Sequence, residues 1–150
     1  MKITTEMIRK LRKRTKTSIV DCREALEKSG GDTAVAVKYL REKGAEILQK
    51  KKNRQTKNGI IASYIHPDKK IGVIVELACE TDFVSRTEDF HHLAHELTLQ
   101  IAATDPQNIE TLLAQPYIKD ESLTIFDLIK TAISKLKENI KIVRFCRYQI

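Results

Sequence analysis

The run Ile71-Gly-Val-Ile-Val-Glu-Leu-Ala78 is the most apolar stretch of the sequence, and Cys79-Glu-Thr-Asp-Phe-Val-Ser-Arg86 follows it directly. The length of the run and its β-branched residues predict a buried strand. Phe83 then lies at the junction between this strand and the next predicted helix, and such loops often carry function. Most phenylalanine side chains, however, belong to a core. Two interpretations of Phe83 therefore stay open: a core residue, or a functional residue displayed by the loop.

The segments around this run predict an antiparallel sheet with helices. Pro67–Lys70 has turn composition, so the run should pair with the preceding apolar segment, which Gly59 opens, as a hairpin. Two later segments have the spacing of amphipathic helices, and the chain ends on an alternating segment. The predicted elements are strands Ile60–His66, Ile71–Ala78 and Ile140–Ile150, helices Glu88–Ala103 and Leu123–Lys137, and a loop at 105–121 in which Leu112 and Leu113 can form a short turn. We therefore predict that residues 59–150 form an α+β domain with a three-stranded antiparallel sheet.

The first 44 residues predict a three-helix bundle. Thr4, Ser18 and Asp32 can cap three successive short helices, and Gly44 is the expected stop of the third. The helices are predicted at 4–14, 19–29 and 32–43. Residues 45–58 are rich in lysine and predict a basic linker, helical or frayed. The apolar pair Ile19-Val20 at the start of the second helix has two interpretations, a place in the core or a docking surface.

The net charge of +7 is unevenly distributed. Residues 1–58 contain 17 Lys and Arg against 7 Asp and Glu, whereas residues 59–150 contain 10 against 13. This asymmetry indicates two modules, and a basic nucleic-acid or ribosome-associated binding module is one function that such a front half favours. The alternative is a solvated helical surface. The basic run at 50–57 lacks the aromatic residues that stack on single strands, so a solvated linker is the preferred interpretation there.

The histidines come nearest to a metal motif. His91 and His95 lie four residues apart, but the order of residues is not that of a metalloprotease, and no cysteine or acid completes a tetrahedral set. We therefore predict that both, and His92 beside them, are polar surface residues, with a metal-dependent hydrolase as the alternative. The sequence contains no Gly-rich phosphate loop and no nucleophile elbow. We expect neither covalent catalysis nor a cofactor.

The sequence also predicts where the protein acts. No apolar run approaches the roughly 20 residues that cross a bilayer, and Met1-Lys-Ile-Thr-Thr-Glu-Met7 lacks the apolar region of a signal peptide. Cys22, Cys79 and Cys146 lie far apart, which fits neither a zinc site nor a disulfide framework. We therefore expect a cytoplasmic protein with reduced thiols and no membrane partner.

Five segments together resemble the elongation factor Ts family. Thr81-Asp-Phe-Val84 matches the core of the family signature, although Ala78 stands where the family usually has Asn and Ser85 where it has Ala. In the N-terminal signature, Lys16-Thr-Ser18 replaces Gly-Ala-Gly and Ile19-Val20 replaces Met-Met. The matching segments are Leu11–Leu26, Tyr39–Gly44, Gly59–His66, Glu76–Arg86 and Glu138–Tyr148.

The resemblance implies a ubiquitin-associated-like three-helix domain, a linker and an α+β core. It also implies a guanine-nucleotide exchange factor that binds the GDP form of elongation factor Tu. In that family the segment Thr81, Asp82, Phe83 and Val84 would press on the helices that hold the partner's magnesium ion, with Phe83 as the wedge. We further expect Ile19 and Val20 to dock on the partner, and we expect no direct contact with nucleic acid.

Self-association is a further expectation. A single core subdomain leaves one sheet edge and one sheet face less covered, and Ile140–Ile150 is a long apolar terminal strand. Exposed strand edges invite pairing, and a two-fold dimer is the commonest closed arrangement. We therefore predict a homodimer with Cys146 near its axis.

Overall fold

The computed structural model describes residues 2–150, which form two compact units divided between Lys52 and Asn53. The first unit contains helices only, and the second combines helices with a three-stranded antiparallel sheet. The predicted α+β fold is therefore confirmed. Of the helices in residues 2–150, none combines the length and the apolar composition that crossing a bilayer requires.

The first unit consists of α1 (Thr5–Thr15), α2 (Ile19–Lys28) and α3 (Thr33–Lys51). Thr4, Ser18 and Asp32 cap them as predicted, because each side chain accepts a hydrogen bond from a backbone N–H of the first turn. A small core holds the helices together. Its buried members are Leu11, Cys22, Ala25, Leu26, Ala36 and Leu40.

The predicted end of the third helix at Gly44 is wrong, since α3 continues to Lys51. A glycine in a helix interior costs only about 1 kcal/mol relative to alanine. The residues that follow, Ala45-Glu-Ile-Leu-Gln-Lys50, are nearly all strong helix formers and offset that cost. The first half of the predicted basic linker is therefore the last two turns of α3.

The second unit is built on a sheet of strand order β1-β2-β5, antiparallel throughout. The register pairs Ile65 with Gly72 in the hairpin and Cys79 with Ile140 at the far end of the sheet. Glycine is required at position 59, because a Cβ there would lie 2.2 Å from the Leu77 carbonyl oxygen. The elements are β1 (Asn58–Ile65), β2 (Ile71–Cys79), α4 (Asp82–Ser85), α5 (Glu88–Thr104), α6 (Ile109–Ala114), β3 (Pro116–Tyr117), β4 (Asp120–Thr124), α7 (Ile125–Leu136) and β5 (Ile140–Gln149).

The segment 105–121, predicted as a loop with a short turn at Leu112 and Leu113, is more ordered than expected: the turn is part of α6, and most of the small β3–β4 hairpin follows it. Two buried polar residues of α5 hold the hairpin in place. Glu96 accepts hydrogen bonds from the Tyr117 hydroxyl and from Lys119 Nζ, the latter at 2.7 Å, and Gln100 bonds the backbone at Pro116 and Ile118. Burial alone would raise the pKa of Glu96, but the bonds from Lys119 and Tyr117 outweigh burial and lower it.

Candidate functional site

Phe83 lies on α4, a single helical turn between β2 and α5, and its side chain is 82% exposed. The two residues after it, Val84 and Ser85, are each only 4% exposed. The core interpretation of Phe83 is therefore wrong. A large apolar side chain projects into solvent from a turn whose other side is packed into the protein.

Glu138 holds the start of this turn from a distant part of the chain. Thr81 caps α4, its hydroxyl accepting a hydrogen bond from Val84 N at 3.3 Å. The backbone N–H and the hydroxyl of Thr81 both donate to the Glu138 carboxylate, at 2.9 and 2.7 Å. Hydrogen bonds to a charged group are the stronger kind. We call this arrangement the Glu138 clamp.

A second carboxylate, that of Glu80, fixes the residue before the clamp. Asn139 N donates to Glu80 Oε1 at 2.7 Å, and Arg54 Nη1 lies 3.6 Å from Glu80 Oε2. The Glu80 carbonyl accepts from Asn58 Nδ2 at 2.9 Å. The end of β2 is thus tied to the starts of β1 and β5.

The buried thiol of Cys79 donates to the Thr81 carbonyl at 3.2 Å. Burial, and then the negative charge of Glu138, raise the pKa of this thiol to about 11. The thiol is therefore protonated at neutral pH, which is the form that donates this hydrogen bond. Cys79 supports the loop as a neutral donor.

The far side of the turn is held by its own side chains. Ser85 Oγ donates to the Asp82 carbonyl at 2.7 Å, and Thr87 Oγ1 donates to the Val84 carbonyl at 2.8 Å. On the surface, Asp82 and Arg86 form an ion pair of 2.8 Å. Phe83 is therefore flanked by charged groups and presented on a backbone with hydrogen-bonded supports on both sides.

The exposed histidines of α5 have structural contacts. His91 Nε2 lies 2.9 Å from the Ser85 carbonyl oxygen, so it donates to the end of the α4 turn. His92 Nε2 lies 3.9 Å from Glu96 Oε1. Within residues 2–150, no three side chains of the His, Cys, Asp and Glu types come together as candidate metal ligands.

The structure distributes the predicted site residues over both units. Thr81, Asp82 and Phe83 are exposed side by side, whereas Val84 is buried and supports α4 from beneath. Ile19 and Val20 belong to the first unit, in the first turn of α2, and are 55% and 74% exposed. The core interpretation of that pair is therefore wrong.

Sequence reasoning missed the clamp. Glu138 is 57 residues from Thr81, and no local pattern relates the two positions. The one usable signal was that Glu138 belongs to a segment, Glu138–Tyr148, that carries part of the family resemblance. The arrangement can insert an apolar side chain into a pocket of a partner, with polar contacts from Thr81 and Asp82 around it.

Comparisons with known proteins agree with one another. A family model described as Elongation factor TS matches residues 80–150, the segment that contains both Phe83 and Glu138. Elongation factor Ts of Thermodesulfovibrio yellowstonii is 39% identical over 194 residues, which covers 100% of this chain and 97% of that protein. The proteins of the same name from Oleidesulfovibrio alaskensis and Thermotoga petrophila are each 38% identical over 193 residues, and 98% and 97% of their lengths are covered. The first alignment exceeds the 150 residues of this chain by 44 positions, so that relative contains residues that this chain lacks.

Proposed function

The chain belongs to the elongation factor Ts family of translation elongation factors, and we propose that it is a guanine-nucleotide exchange factor for elongation factor Tu. It binds the GDP form of that partner, disturbs the magnesium site and promotes release of GDP. The observation that carries the proposal is the 82% exposure of Phe83 on a turn that the Glu138 clamp holds. The activity takes place in the cytoplasm, where translation runs, and it forms and breaks no covalent bond.

Phe83 acts as a wedge in this mechanism. Full burial of a phenylalanine side chain contributes about 1.5–3 kcal/mol, and this gain offsets distortion of the partner's helices. Asp82 keeps the turn in shape through its contacts with Ser85 and Arg86. Once the magnesium ion is displaced, the diphosphate of GDP loses the largest positive charge beside it, and its affinity falls.

The first unit supplies the second contact. Ile19 and Val20 form an exposed apolar pair at a capped helix start, and we propose that they dock on elongation factor Tu. Exposed apolar side chains become favourable when a partner covers them.

Binding of the factor and binding of GDP must oppose each other. If the factor weakens the affinity of elongation factor Tu for GDP, GDP weakens the affinity for the factor by the same ratio. We therefore expect immobilised elongation factor Tu to capture much less of this protein when excess GDP and Mg²⁺ are added. Added salt should reduce the captured amount less than GDP and Mg²⁺ do, because salt screens an apolar contact less than it screens a contact to phosphate. Capture that GDP and Mg²⁺ leave unchanged would count against exchange.

We also propose that the protein forms a homodimer through its sheet. β5 is an edge strand of the sheet. The register places a row of exposed apolar residues on one face of the sheet, where Cys146 lies opposite Ile74. On the same face, Glu76 and Arg144 form an ion pair of 2.8 Å. The apolar members are Ile61, Ile65, Ile74 and Tyr148, all at least 47% exposed. A two-fold axis through this face would bring like surfaces together, and the mixed charges would meet their opposites.

Sedimentation tests the dimer. We expect a dimer at micromolar concentration, and we expect Ile74→Asp to shift the equilibrium to monomer because it places a charge in the apolar row. Val35→Asp is the matched control, since Val35 is 51% exposed in the other unit. A wild-type protein that stays monomeric at high micromolar concentration would rule the dimer out.

A further inference from the structure

Helix α1 presents an unusual concentration of positive charge. Six basic residues within eight positions are all exposed, and Glu6 is the one acid of the helix. Glu6 lies 3.3 Å from Lys10. Among residues 2–150, no carboxylate lies within 4.0 Å of the other cations of α1 or of its C-cap, Lys16. The six residues, which we call the α1 basic face, are Arg9, Lys10, Arg12, Lys13, Arg14 and Lys16.

Several cations of the neighbouring helices, α2 and α3, have carboxylate partners. On α2 and α3, four basic residues lie within 4.0 Å of a carboxylate, and Lys43 contacts two. The pairs are Arg23–Glu27, Lys28–Glu24, Lys38–Glu42, Lys43–Asp21 and Lys43–Glu24. The basic residues of the first unit are therefore densest along α1, and Lys50–Lys52 at the end of α3 form a second basic stretch.

The concentration costs stability. Positive charges in the last turn of a helix interact favourably with the helix dipole. This interaction offsets part of the repulsion among Arg12, Lys13 and Arg14. The spacing nevertheless places like charges at i and i+4 in Arg9–Lys13 and Lys10–Arg14, and each such pair destabilises a helix by roughly 0.2–0.5 kcal/mol. Solubility does not require such crowding. An anionic partner bound to this face would remove the repulsion.

The form of the face points to phosphates. Arg9, Arg12 and Lys13 follow the i, i+3, i+4 spacing of one helix face, about 6 Å long at 1.5 Å per residue, and Lys16 follows them as the C-cap, with a left-handed backbone. None of the exposed large hydrophobic side chains of residues 2–150 lies on α1. Protein interfaces have an apolar centre, whereas contacts to a nucleic-acid backbone require only positioned charges and donors.

In place of the expectation that the protein makes no direct contact with nucleic acid, we propose that the α1 basic face binds the phosphate backbone of double-helical RNA. The absence of aromatic residues from α1 disfavours single strands, because their binding sites stack bases on aromatic rings. A-form duplexes are recognised largely through backbone and shape. A translation elongation factor works in contact with an RNA-rich machinery, so RNA is the polyanion most available to this face. The basic run at 50–57, which first drew attention to nucleic acid, is not needed for this contact.

The test compares two variants of equal charge. Arg9→Gln/Arg12→Gln/Lys13→Gln/Lys16→Gln removes four cations from the α1 basic face. The control, Arg23→Gln/Lys28→Gln/Lys38→Gln/Arg41→Gln, removes four exposed cations from α2 and α3. The probe is a fluorescein-labelled 20-base-pair RNA duplex, with binding followed by anisotropy between 50 and 200 mM KCl. Thermal melting monitored by circular dichroism verifies that both variants are folded.

We expect weak binding by the wild type, with Kd of about 10⁻⁴–10⁻⁶ M, and a slope of log K against log salt of about −3.6, which corresponds to about four phosphate contacts on a duplex. The α1 variant should lose at least about tenfold in affinity at 50 mM KCl and most of the slope, whereas the control should stay within about twofold. Equal losses in the two variants would reduce the effect to net charge and overturn the proposal. No binding of wild type at 50 mM KCl would also overturn it.

Two further outcomes distinguish other partners. Tighter binding of a single-stranded RNA of the same length would contradict the duplex assignment. Loss of affinity for elongation factor Tu in the α1 variant, without any RNA binding by the wild type, would make the face an acidic-protein contact instead. The RNA assay contains no elongation factor Tu, so its result is independent of the exchange function.

Discussion

Phe83→Ala is expected to leave the protein folded and to remove most of its stimulation of GDP release from elongation factor Tu. The side chain is 82% exposed, and surface substitutions change the free energy of unfolding by no more than about 0.5 kcal/mol. Truncation of a central interface aromatic costs about 2–4 kcal/mol in binding. Stimulated release, followed with a fluorescent GDP analogue, should therefore slow by about 30-fold or more.

Phe90→Ala is the matched control, because Phe90 has the same side chain and no exposed surface. Its loss from the core should lower the free energy of unfolding by about 3–5 kcal/mol. The variant should still stimulate exchange at a temperature where it is folded. A Phe83→Ala protein that exchanges nucleotide at the wild-type rate would end the wedge mechanism.

The double change Ile19→Ser/Val20→Ser is expected to weaken the complex with elongation factor Tu by about 30-fold or more, if each side chain contributes at least about 1 kcal/mol at the contact. Both side chains are more than half exposed, so the melting temperature should change little. Titration calorimetry against nucleotide-free elongation factor Tu measures the affinity directly.

Val35→Ser serves as the control for this pair, since Val35 is 51% exposed on α3 of the same unit. It should bind elongation factor Tu like the wild type. If the double variant also binds like the wild type, the docking assignment of Ile19 and Val20 is wrong, although Phe83 could still act.

Local patterns predicted the main elements of this fold well. The strand at Ile71–Ala78 and the helix after Thr87 follow from apolar spacing and capping, both of which act over a few residues. The error at Gly44 arose because one unfavourable residue was weighed more heavily than the helix formers after it. The β3–β4 hairpin was missed because Glu96 and Gln100 are polar residue types, which are usually expected on the surface. In the protein both are buried and form the hydrogen bonds that hold the hairpin.

The site was harder to predict for a physical reason. The exposure of Phe83 depends on which side of a single helical turn faces the protein, and contacts with Glu138, Asn58 and His91 decide that. None of these three residues is adjacent to Phe83 in the sequence. The family resemblance supplied the functional interpretation, and packing around Val84 and Ser85 supplied the orientation.

The Glu138 clamp has a kinetic consequence. A loop that is already ordered has little conformational freedom to lose on association, and freezing a mobile side chain costs about 0.5–1.5 kcal/mol. The encounter should therefore resemble rigid docking, with an association rate constant of about 10⁵–10⁷ M⁻¹s⁻¹. Substitutions that loosen Thr81 without removing Phe83 would then slow association as well as hasten dissociation, whereas loss of the phenyl ring alone would act mainly on the lifetime of the complex.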